Sequence, residues 1–128
     1  MKLLLDTHVL IWWLAGDDRL GAAARSAMEN PDNPVFVSAV SAMEVATKFR
    51  LGKLADAAEL ALNFAQIVMQ NGFLELPLSI GHAARAGSLR ADHRDPFDRM
   101  LIAQAELEQM ALISNESLFD AFGIIRIW

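Results

Sequence analysis

The amino-acid sequence predicts an α/β fold: a three-layer α/β/α arrangement in which helices cover both faces of a central parallel sheet of about five strands. Two observations lead to this prediction. Five short β-rich segments occur along the chain, and stretches with helical spacing separate them. Strands that alternate with helices are typical of parallel sheets, because each crossover places a helix against the sheet. The 128 residues have the length of one ordinary domain, so we expect a single domain over 1–128.

The predicted strands are short apolar runs, which fit buried strands of a parallel sheet. They are residues 2–5, "VFVS" at 35–38, "FLELP" at 73–77, "ALIS" at 111–114 and "IIRIW" at 124–128. The predicted helices are 20–29, 41–51, 56–71 and 96–109, with a short helix at 116–122. Gly52 and Gly72 follow two of these helices as C-terminal glycines do. Asp95 and Pro96 are suited to the N-cap and first turn of the helix at 96–109.

Composition and charge exclude several classes of protein. The absence of cysteine excludes disulfides, thiolate zinc sites and cysteine nucleophiles, and it fits a reducing compartment, so we expect a cytoplasmic protein. Asp6 and His8 interrupt the apolar N-terminus, and the remaining run "VLIWWLA" is too short to span a bilayer. A net charge of −5 argues against binding of nucleic acid through counterion release alone.

Acidic residues follow several predicted strands at the points where those strands end. They are Asp6 after the first strand, Glu44 one turn into the helix after "VFVSAV", Asp95 and Asp98 at the start of the helix at 96–109, and Glu116 after the fourth strand. In an open parallel sheet, ligands bind beyond the carboxyl ends of the strands. The sequence therefore predicts that four segments bring acids to one edge of the sheet.

Most of these acids also have an ordinary structural explanation. Ser41 and Glu44 have the spacing of a capping box, and Asp95 before a proline is a common N-cap. Asp98 is favoured in a first turn by the helix dipole, and Glu116 suits the start of a short helix. Asp6 differs, because an acid beside a buried central strand is desolvated unless a cation or donors meet it. For Asp6 the functional explanation is favoured.

Carboxylates that converge repel one another, which either raises the pKa of at least one of them or recruits a cation. A site rich in carboxylate oxygen suits Mg²⁺ or Mn²⁺ better than zinc. Such ions promote attack by water and neutralise charge on a phosphoryl group. We therefore expect hydrolysis of a phosphodiester that leaves a 5′-phosphate and a 3′-hydroxyl.

Four ordered segments resemble a known family. "LLLDTHVLIWWL", "SAMEVATKFRLGKL", "HRDPFDRMLIAQA" and "LISNESLFDAFGI" are similar, in sequence and spacing, to PIN-domain ribonucleases of the VapC toxin type. The resemblance runs from end to end of the chain. It implies a parallel α/β/α sandwich, Mg²⁺- or Mn²⁺-dependent endoribonuclease activity on structured RNA such as transfer RNA, and inhibition by a cognate antitoxin.

The resemblance also assigns roles to individual positions. Asp6, Glu44 and Asp98 match the first three acids of the family and are expected to bind the metal ion. Glu116 stands where the family usually has Asp, and its longer side chain either holds a second metal through water or leaves it weakly bound. Asp95 lies in the "RDPFD" stretch, where it ligates, orients or caps. Thr7 and Ser114 are expected to hydrogen-bond beside the ligands.

Basic and apolar residues suggest contacts with partners. The basic residues near the acids are suited either to the RNA backbone or to a solvated face; they are Lys48, Arg50, Lys53, Arg90, His93, Arg94 and Arg99.

Adjacent Trp12 and Trp13 cannot both face one core from a helix. With Met43, Phe49 and Leu51 they suggest an apolar groove for a partner helix, or burial on both sides of the helix. The family resemblance favours an antitoxin in the groove and a toxin homodimer.

Other functional classes fit the sequence less well. A haloacid-dehalogenase-type phosphohydrolase requires a second Asp two residues after the first, and His8 stands there. A receiver domain requires an acidic pair near the start and a late Lys after a strand, and neither arrangement occurs. A non-catalytic binding module with the PIN fold stays open, because Glu116 departs from the usual pattern.

Overall fold

The computed structural model describes residues 1–90 and 92–128. Within these residues, five parallel strands form one sheet in the order β3-β2-β1-β4-β5. The strands are β1 (Leu3–Leu5), β2 (Val35–Ser38), β3 (Leu74–Leu76), β4 (Ala111–Ile113) and β5 (Arg126–Ile127). β1 is central, with Leu3 opposite Val35 on one side and Ala111 on the other. All five strands were predicted, and the predicted α/β fold is confirmed.

Helices connect the strands and cover both faces of the sheet. They are α1 (Thr7–Ala15), α2 (Ala22–Glu29), α3 (Ala39–Arg50), α4 (Ala58–Leu62), α5 (Phe64–Gln70), α6 (Ile80–Ser88) and α7 (Pro96–Glu108). Short 3₁₀ helices span Ala55–Ala57 and Ser117–Phe122. The single helix predicted at 56–71 is instead three pieces, with a break at Asn63. α1 and α6 were not predicted from the sequence.

The central strand divides the core into two layers. Because successive side chains of a strand point to opposite faces, Leu3 and Leu5 pack into one apolar cluster and Leu4 into the other. The first cluster includes apolar residues of α1, α2, α4 and α5, and the second includes residues of α7 and the last 3₁₀ helix. Burial on both faces explains why β1 and β4 are continuously apolar rather than alternating.

Polar side chains start the helices that leave the strands. Asp6 is the N-cap of α1 and accepts a hydrogen bond from the Thr7 amide, and Asp95 caps α7 as predicted. The N-cap of α3 is Ser38, whose hydroxyl accepts from the Val40 amide. The capping box predicted at Ser41 and Glu44 is therefore wrong, because the helix begins three residues earlier and Glu44 lies in its second turn.

A series of buried hydrogen bonds joins the start of α3 to α7. The Ser38 hydroxyl donates to Oε1 of Gln104 at 2.5 Å, and Gln104 Nε2 lies 3.4 Å from Nδ1 of His82 on α6. His82 completes a capping box with Ser79, and its Nε2 lies 2.8 Å from Glu108. Because buried polar groups must be hydrogen-bonded, this series of contacts fixes the positions of α3, α6 and α7 relative to one another.

No helix in the described part of the chain combines the length and apolar character needed to cross a membrane.

Gly21, the N-cap of α2, provides a test of the packing against the last residue of the chain. A Cβ atom placed there would lie 2.8 Å from the backbone carbonyl carbon of Trp128, whose ring packs against Trp12. We expect Gly21→Ala to lower the free energy of unfolding by about 1–3 kcal/mol, as overpacking does. Urea unfolding followed by circular dichroism measures the change.

The matched control is Gly87→Ala. A Cβ at this position in α6 meets nothing within 4 Å, so the substitution should raise the free energy of unfolding by about 0.5–1 kcal/mol. Equal stability of the two variants would contradict the packing described for Gly21.

Candidate functional site

Three of the predicted acids follow the carboxyl ends of strands, and two lie at the start of α7. Asp6 follows β1, Glu44 lies in α3 after β2, and Glu116 follows β4 and precedes the last 3₁₀ helix. Asp95 and Asp98 occupy the N-cap and first turn of α7. The order of the sheet places β1 between β2 and β4, so the acids of three neighbouring strand exits share one edge.

Asp6 is the most constrained of these acids. It is only 4% exposed, and its carboxylate accepts hydrogen bonds from the Thr7 amide at 2.7 Å and the Ser114 hydroxyl at 2.7 Å. Burial raises the pKa of Asp6 from 3.8 to about 6, although the Ser114 hydrogen bond acts to lower it. The charge of Glu116 also contributes to this increase, and the charge of His8 opposes it. The charged form of Asp6 is thus destabilised by its burial.

Glu44 is buried on the side of α3 that faces α1. The Thr7 hydroxyl lies 2.7 Å from its Oε1 and 2.9 Å from the Ser41 hydroxyl, while the Lys48 ammonium donates to its Oε2. Both oxygens of this carboxylate are therefore satisfied by protein donors. Since Thr7 directly follows Asp6 in the chain, this contact brings the second predicted acid next to the first.

Asp98 is half-buried at the start of α7. Nε2 of His93 lies 2.8 Å from its Oδ2. Burial raises the pKa of Asp98 to about 6, the His93 contact acts to lower it, and the charges of Asp95, Asp6 and Glu116 raise it again. Asp95 itself is exposed, and its carboxylate accepts from the amides of Phe97 and Asp98.

These electrostatic effects show that the acids form one group. Asp6 and Glu116 both act on Asp98, Glu116 acts on Asp6, and Glu44, Asp95 and Asp98 all act on Lys48. Burial acts to lower the pKa of Lys48, but the bond to Glu44 and the surrounding negative charges outweigh it, and the pKa is raised. These mutual effects indicate that the carboxylates influence one another, while their role as metal ligands stays a prediction.

The donor set fits a divalent cation that prefers oxygen. It consists of carboxylates from four segments, and two of them have pKa values near 6 because they are buried and face other acids. Mg²⁺ and Mn²⁺ favour such oxygen ligands. Among the described residues, no three acids or histidines are already grouped so as to hold a metal ion. Ser114, Lys48 and His93 each engage one acid, so ligation would require these contacts to be exchanged or shared.

The residues predicted to support the acids do contact them. Ser114 Oγ donates to Asp6 and accepts from the Glu116 amide at 3.1 Å, so one hydroxyl links the Asp6 carboxylate to the backbone of Glu116. The Thr7 hydroxyl donates to Oε1 of Glu44. The fifth strand contributes Arg126, which donates to the Ser114 carbonyl at 3.0 Å and pairs with Asp120. These contacts fix the segment that carries Ser114 and Glu116.

The basic residues predicted to contact RNA differ in their surroundings. Arg50 and Arg94 are exposed, whereas Lys48 is engaged with Glu44. The Arg99 guanidinium donates to the backbone carbonyls of Leu89 at 2.6 Å, His93 at 2.8 Å and Ala86 at 2.9 Å. Arg99 therefore anchors the segment before α7, and its contact with RNA stays a prediction.

Two interactions at the site were not identified from the sequence. Lys48 follows Glu44 by four residues, which is ion-pair spacing on a helix and would have indicated this contact. His93 and Asp98 are five residues apart across a loop, and that spacing carries no such signal. The centroid of the His8 ring lies 5.9 Å from that of the Trp12 ring, so His8 packs against the aromatic side of α1.

Comparison with known proteins assigns the fold. The family model of the PIN domain matches residues 3–124, nearly the whole chain. The chain belongs to the PIN-domain family. No curated protein sequence matches it significantly.

Several solved structures have a similar fold. The Mycobacterium tuberculosis sarcin-ricin loop cleaving toxin VapC20 is 19% identical with a TM-score of 0.69, covering 96% of each chain. VapBC-1 from nontypeable Haemophilus influenzae is 14% identical with a TM-score of 0.69, covering 98% of this chain and 96% of that one. A toxin-antitoxin complex from Klebsiella pneumoniae is 24% identical with a TM-score of 0.61, covering 90% and 87%. These likenesses support the fold of this PIN domain over its full length.

The raised pKa of Asp6 predicts a defined pH dependence of stability. The folded chain retains a proton on Asp6 up to a pH of about 6, whereas an unfolded Asp releases it near 3.8. Stability contributed by this group therefore falls as pH rises from 3.8 to 6. With a chelator present, we expect Asp6→Asn to raise the free energy of unfolding at pH 7.5 by about 2–3 kcal/mol, because the amide carries no charge to desolvate.

The gain should disappear at about pH 3, which is below both pKa values of Asp6, because the group is then protonated in the folded and in the unfolded chain. Urea titrations at the two pH values measure it. Asp32→Asn is the control, since Asp32 is exposed and remote from the acids, and it should change stability little at either pH. A gain that is independent of pH would contradict desolvation of Asp6 as its cause.

Proposed function

We propose that this PIN domain is a metal-dependent endoribonuclease toxin of a type II toxin-antitoxin system, acting in the cytoplasm on structured RNA such as transfer RNA. The observation that carries the proposal is the convergence of buried, mutually repelling acids at the carboxyl edge of the sheet. Membership of the PIN family supports it, as does the similarity to a toxin described as cleaving the sarcin-ricin loop.

Asp6, Glu44 and Asp98 are the proposed ligands of Mg²⁺ or Mn²⁺. Such an ion, when bound, makes water more acidic and neutralises charge on a phosphoryl group. Ser114 and the Thr7 amide orient Asp6, the Thr7 hydroxyl orients Glu44, and His93 orients Asp98. Holding the carboxylates in fixed directions reduces the reorganisation needed when ligand and substrate bind.

Asp95 and Glu116 have supporting roles in this proposal. Asp95 caps α7 and adds negative charge beside Asp98. Glu116 is half-buried, and its charge acts on both Asp6 and Asp98, so its carboxylate lies near the proposed ligands. Arg50 and Arg94 are exposed and available to phosphates of the RNA, and Lys48 and Arg99 are the other proposed contacts.

An antitoxin is the proposed protein partner. A groove of about 770 Å³ lies between α1 and the segment from Lys53 to Asn71. Its apolar lining consists chiefly of Ile11, Trp12, Leu14, Leu54, Leu60 and Ile67. The groove predicted from Trp12, Trp13, Met43, Phe49 and Leu51 thus shares only Trp12 with it. Similarity to a toxin-antitoxin complex supports this partner, and a toxin homodimer completes the proposed assembly.

A non-catalytic PIN-fold binding module is the second candidate. It is favoured by the observation that each principal acid is already compensated by a protein donor, and that Glu occupies position 116. The PIN family match sets aside a haloacid-dehalogenase-type phosphohydrolase.

Cleavage assays separate the two candidates. Purified transfer RNA and a ribosomal RNA fragment are incubated with the protein in Mn²⁺ or Mg²⁺, and in a chelator. We expect cutting only with the metal ion, leaving a 5′-phosphate and a 3′-hydroxyl. Asp6→Asn, Glu44→Gln and Asp98→Asn should each reduce the rate by about 100-fold or more, because each removes a charged ligand.

Asp32→Asn, prepared in parallel, should cut at the wild-type rate and controls for contaminating nucleases. A 2′,3′-cyclic phosphate at the cut would rule out the proposed chemistry, because that product arises from attack by the ribose hydroxyl. Inert wild type, or variants that cut as well as wild type, would instead support the binding module.

The groove predicts which surface the antitoxin occupies. The product of the neighbouring gene is co-expressed with the PIN domain, and its dissociation constant is measured by calorimetry. We expect Leu54→Glu to weaken binding at least tenfold, because it places a charge among the apolar groove residues. Ile80→Glu is the control, since Ile80 is 89% exposed and outside the groove. Equal binding by both variants would exclude this groove as the docking site.

A further inference from the structure

Lys48 is placed unusually for a residue that was expected to contact RNA. It lies one turn after Glu44 on α3, and its ammonium donates to Glu44 Oε2 while only 31% of its side chain is exposed. Glu44 is itself 7% exposed at its side chain. Surface ion pairs are weak, but a pair that is largely removed from water binds more strongly, because screening is reduced.

The charges around Lys48 come from two helices. Glu44 lies on its own helix, and Asp95 and Asp98 act on it from the start of α7. The ammonium thus occupies the space between two elements that both contribute proposed metal ligands. A positive charge in that space does part of what a divalent cation would do, since it offsets the repulsion among the carboxylates.

The two oxygens of Glu44 are used differently. Oε1 accepts from the Thr7 hydroxyl, a neutral donor that remains compatible with ligation, whereas Oε2 is taken by Lys48. A cation that binds Glu44 through Oε2 must displace the ammonium, and one that binds near it must tolerate a like charge at close range.

We propose that Lys48 is a built-in counter-cation that competes with the divalent metal ion for Glu44 and leaves Glu44 when the ion binds. This inference rests on the proposed metal-dependent function and adds regulation of the same site. Lys48 keeps the acids compatible with folding in the absence of metal and sets how much metal is needed to load the site. It is a positioning residue rather than a catalytic one, since it acts through Glu44.

Metal affinity, measured by calorimetric titration of the full chain with Mn²⁺ in the absence of RNA, tests the proposal. We expect Lys48→Met to bind Mn²⁺ about tenfold more tightly than wild type, because a competing charge is removed from the site. Lys48→Arg keeps a positive charge and should bind close to the wild-type value. Lys2→Met is the matched control: it removes one exposed lysine at the amino end of β1, opposite the edge that carries the acids, and should leave the affinity unchanged.

A double-mutant cycle then identifies the route of the effect. Lys48→Met is introduced both into wild type and into Glu44→Gln. If Lys48 acts through Glu44, the fold increase in Mn²⁺ affinity should be at least three times smaller in the Glu44→Gln background than in wild type. The same gain in both backgrounds would mean general electrostatic attraction and would overturn the proposal. Equal or weaker binding by Lys48→Met alone would overturn it as well.

The outcomes also separate this inference from the proposed function. If wild type binds Mn²⁺ and Lys48→Met binds it no better, competition by Lys48 fails and the metal-dependent function stands. If neither protein binds Mn²⁺, both fail. If only Lys48→Met binds Mn²⁺ measurably, the competition is supported in its strongest form. Circular dichroism in a chelator confirms that each variant is folded before titration.

Discussion

The burial of a carboxylate at the end of the central strand is the constraint on which the site depends. Asp6 follows the central strand β1, and it is only 4% exposed. A charge in that position must be met by donors or by a cation. The donors present are the Thr7 amide and the Ser114 hydroxyl, and they do not fully compensate, because the pKa remains near 6.

The topology of the sheet converts this local constraint into a shared site. Parallel strands all exit at one edge, so α3 and the segment after β4 begin beside Asp6. The buried contact between Ser38 and Gln104 then ties the start of α3 to α7, which carries Asp98. A displacement of α7 would break a hydrogen bond inside the core. The relative placement of Glu44 and Asp98 is therefore set by packing several residues away from either acid.

The sequence was sufficient for those features that depend on local patterns. Short apolar runs predicted all five strands, and the position of Asp6 directly after one of them predicted its burial. α1 was not assigned because it is apolar on nearly every side and lacks the usual amphipathic spacing, and α6 contains two glycines. The capping-box error at Ser41 has a comparable origin: Ser38 and Ser41 are both suited to a cap, and only the end of β2 decides between them. Contacts between separate elements, such as Ser38 with Gln104 or Arg99 with the carbonyls before α7, leave no periodic signal in the chain.

Different donors compensate the negative charges of the three principal acids. The three carboxylates should therefore differ in how they respond to an added cation. The hydrogen bonds to Asp6 come from neutral donors, the Thr7 amide and the Ser114 hydroxyl. Asp98 has an imidazole, and Glu44 has a full ammonium charge. If a divalent cation binds as proposed, it would replace nothing charged at Asp6 but would have to compete with Lys48 at Glu44. In the proposed function, the same contact that neutralises Glu44 without metal would therefore oppose metal binding.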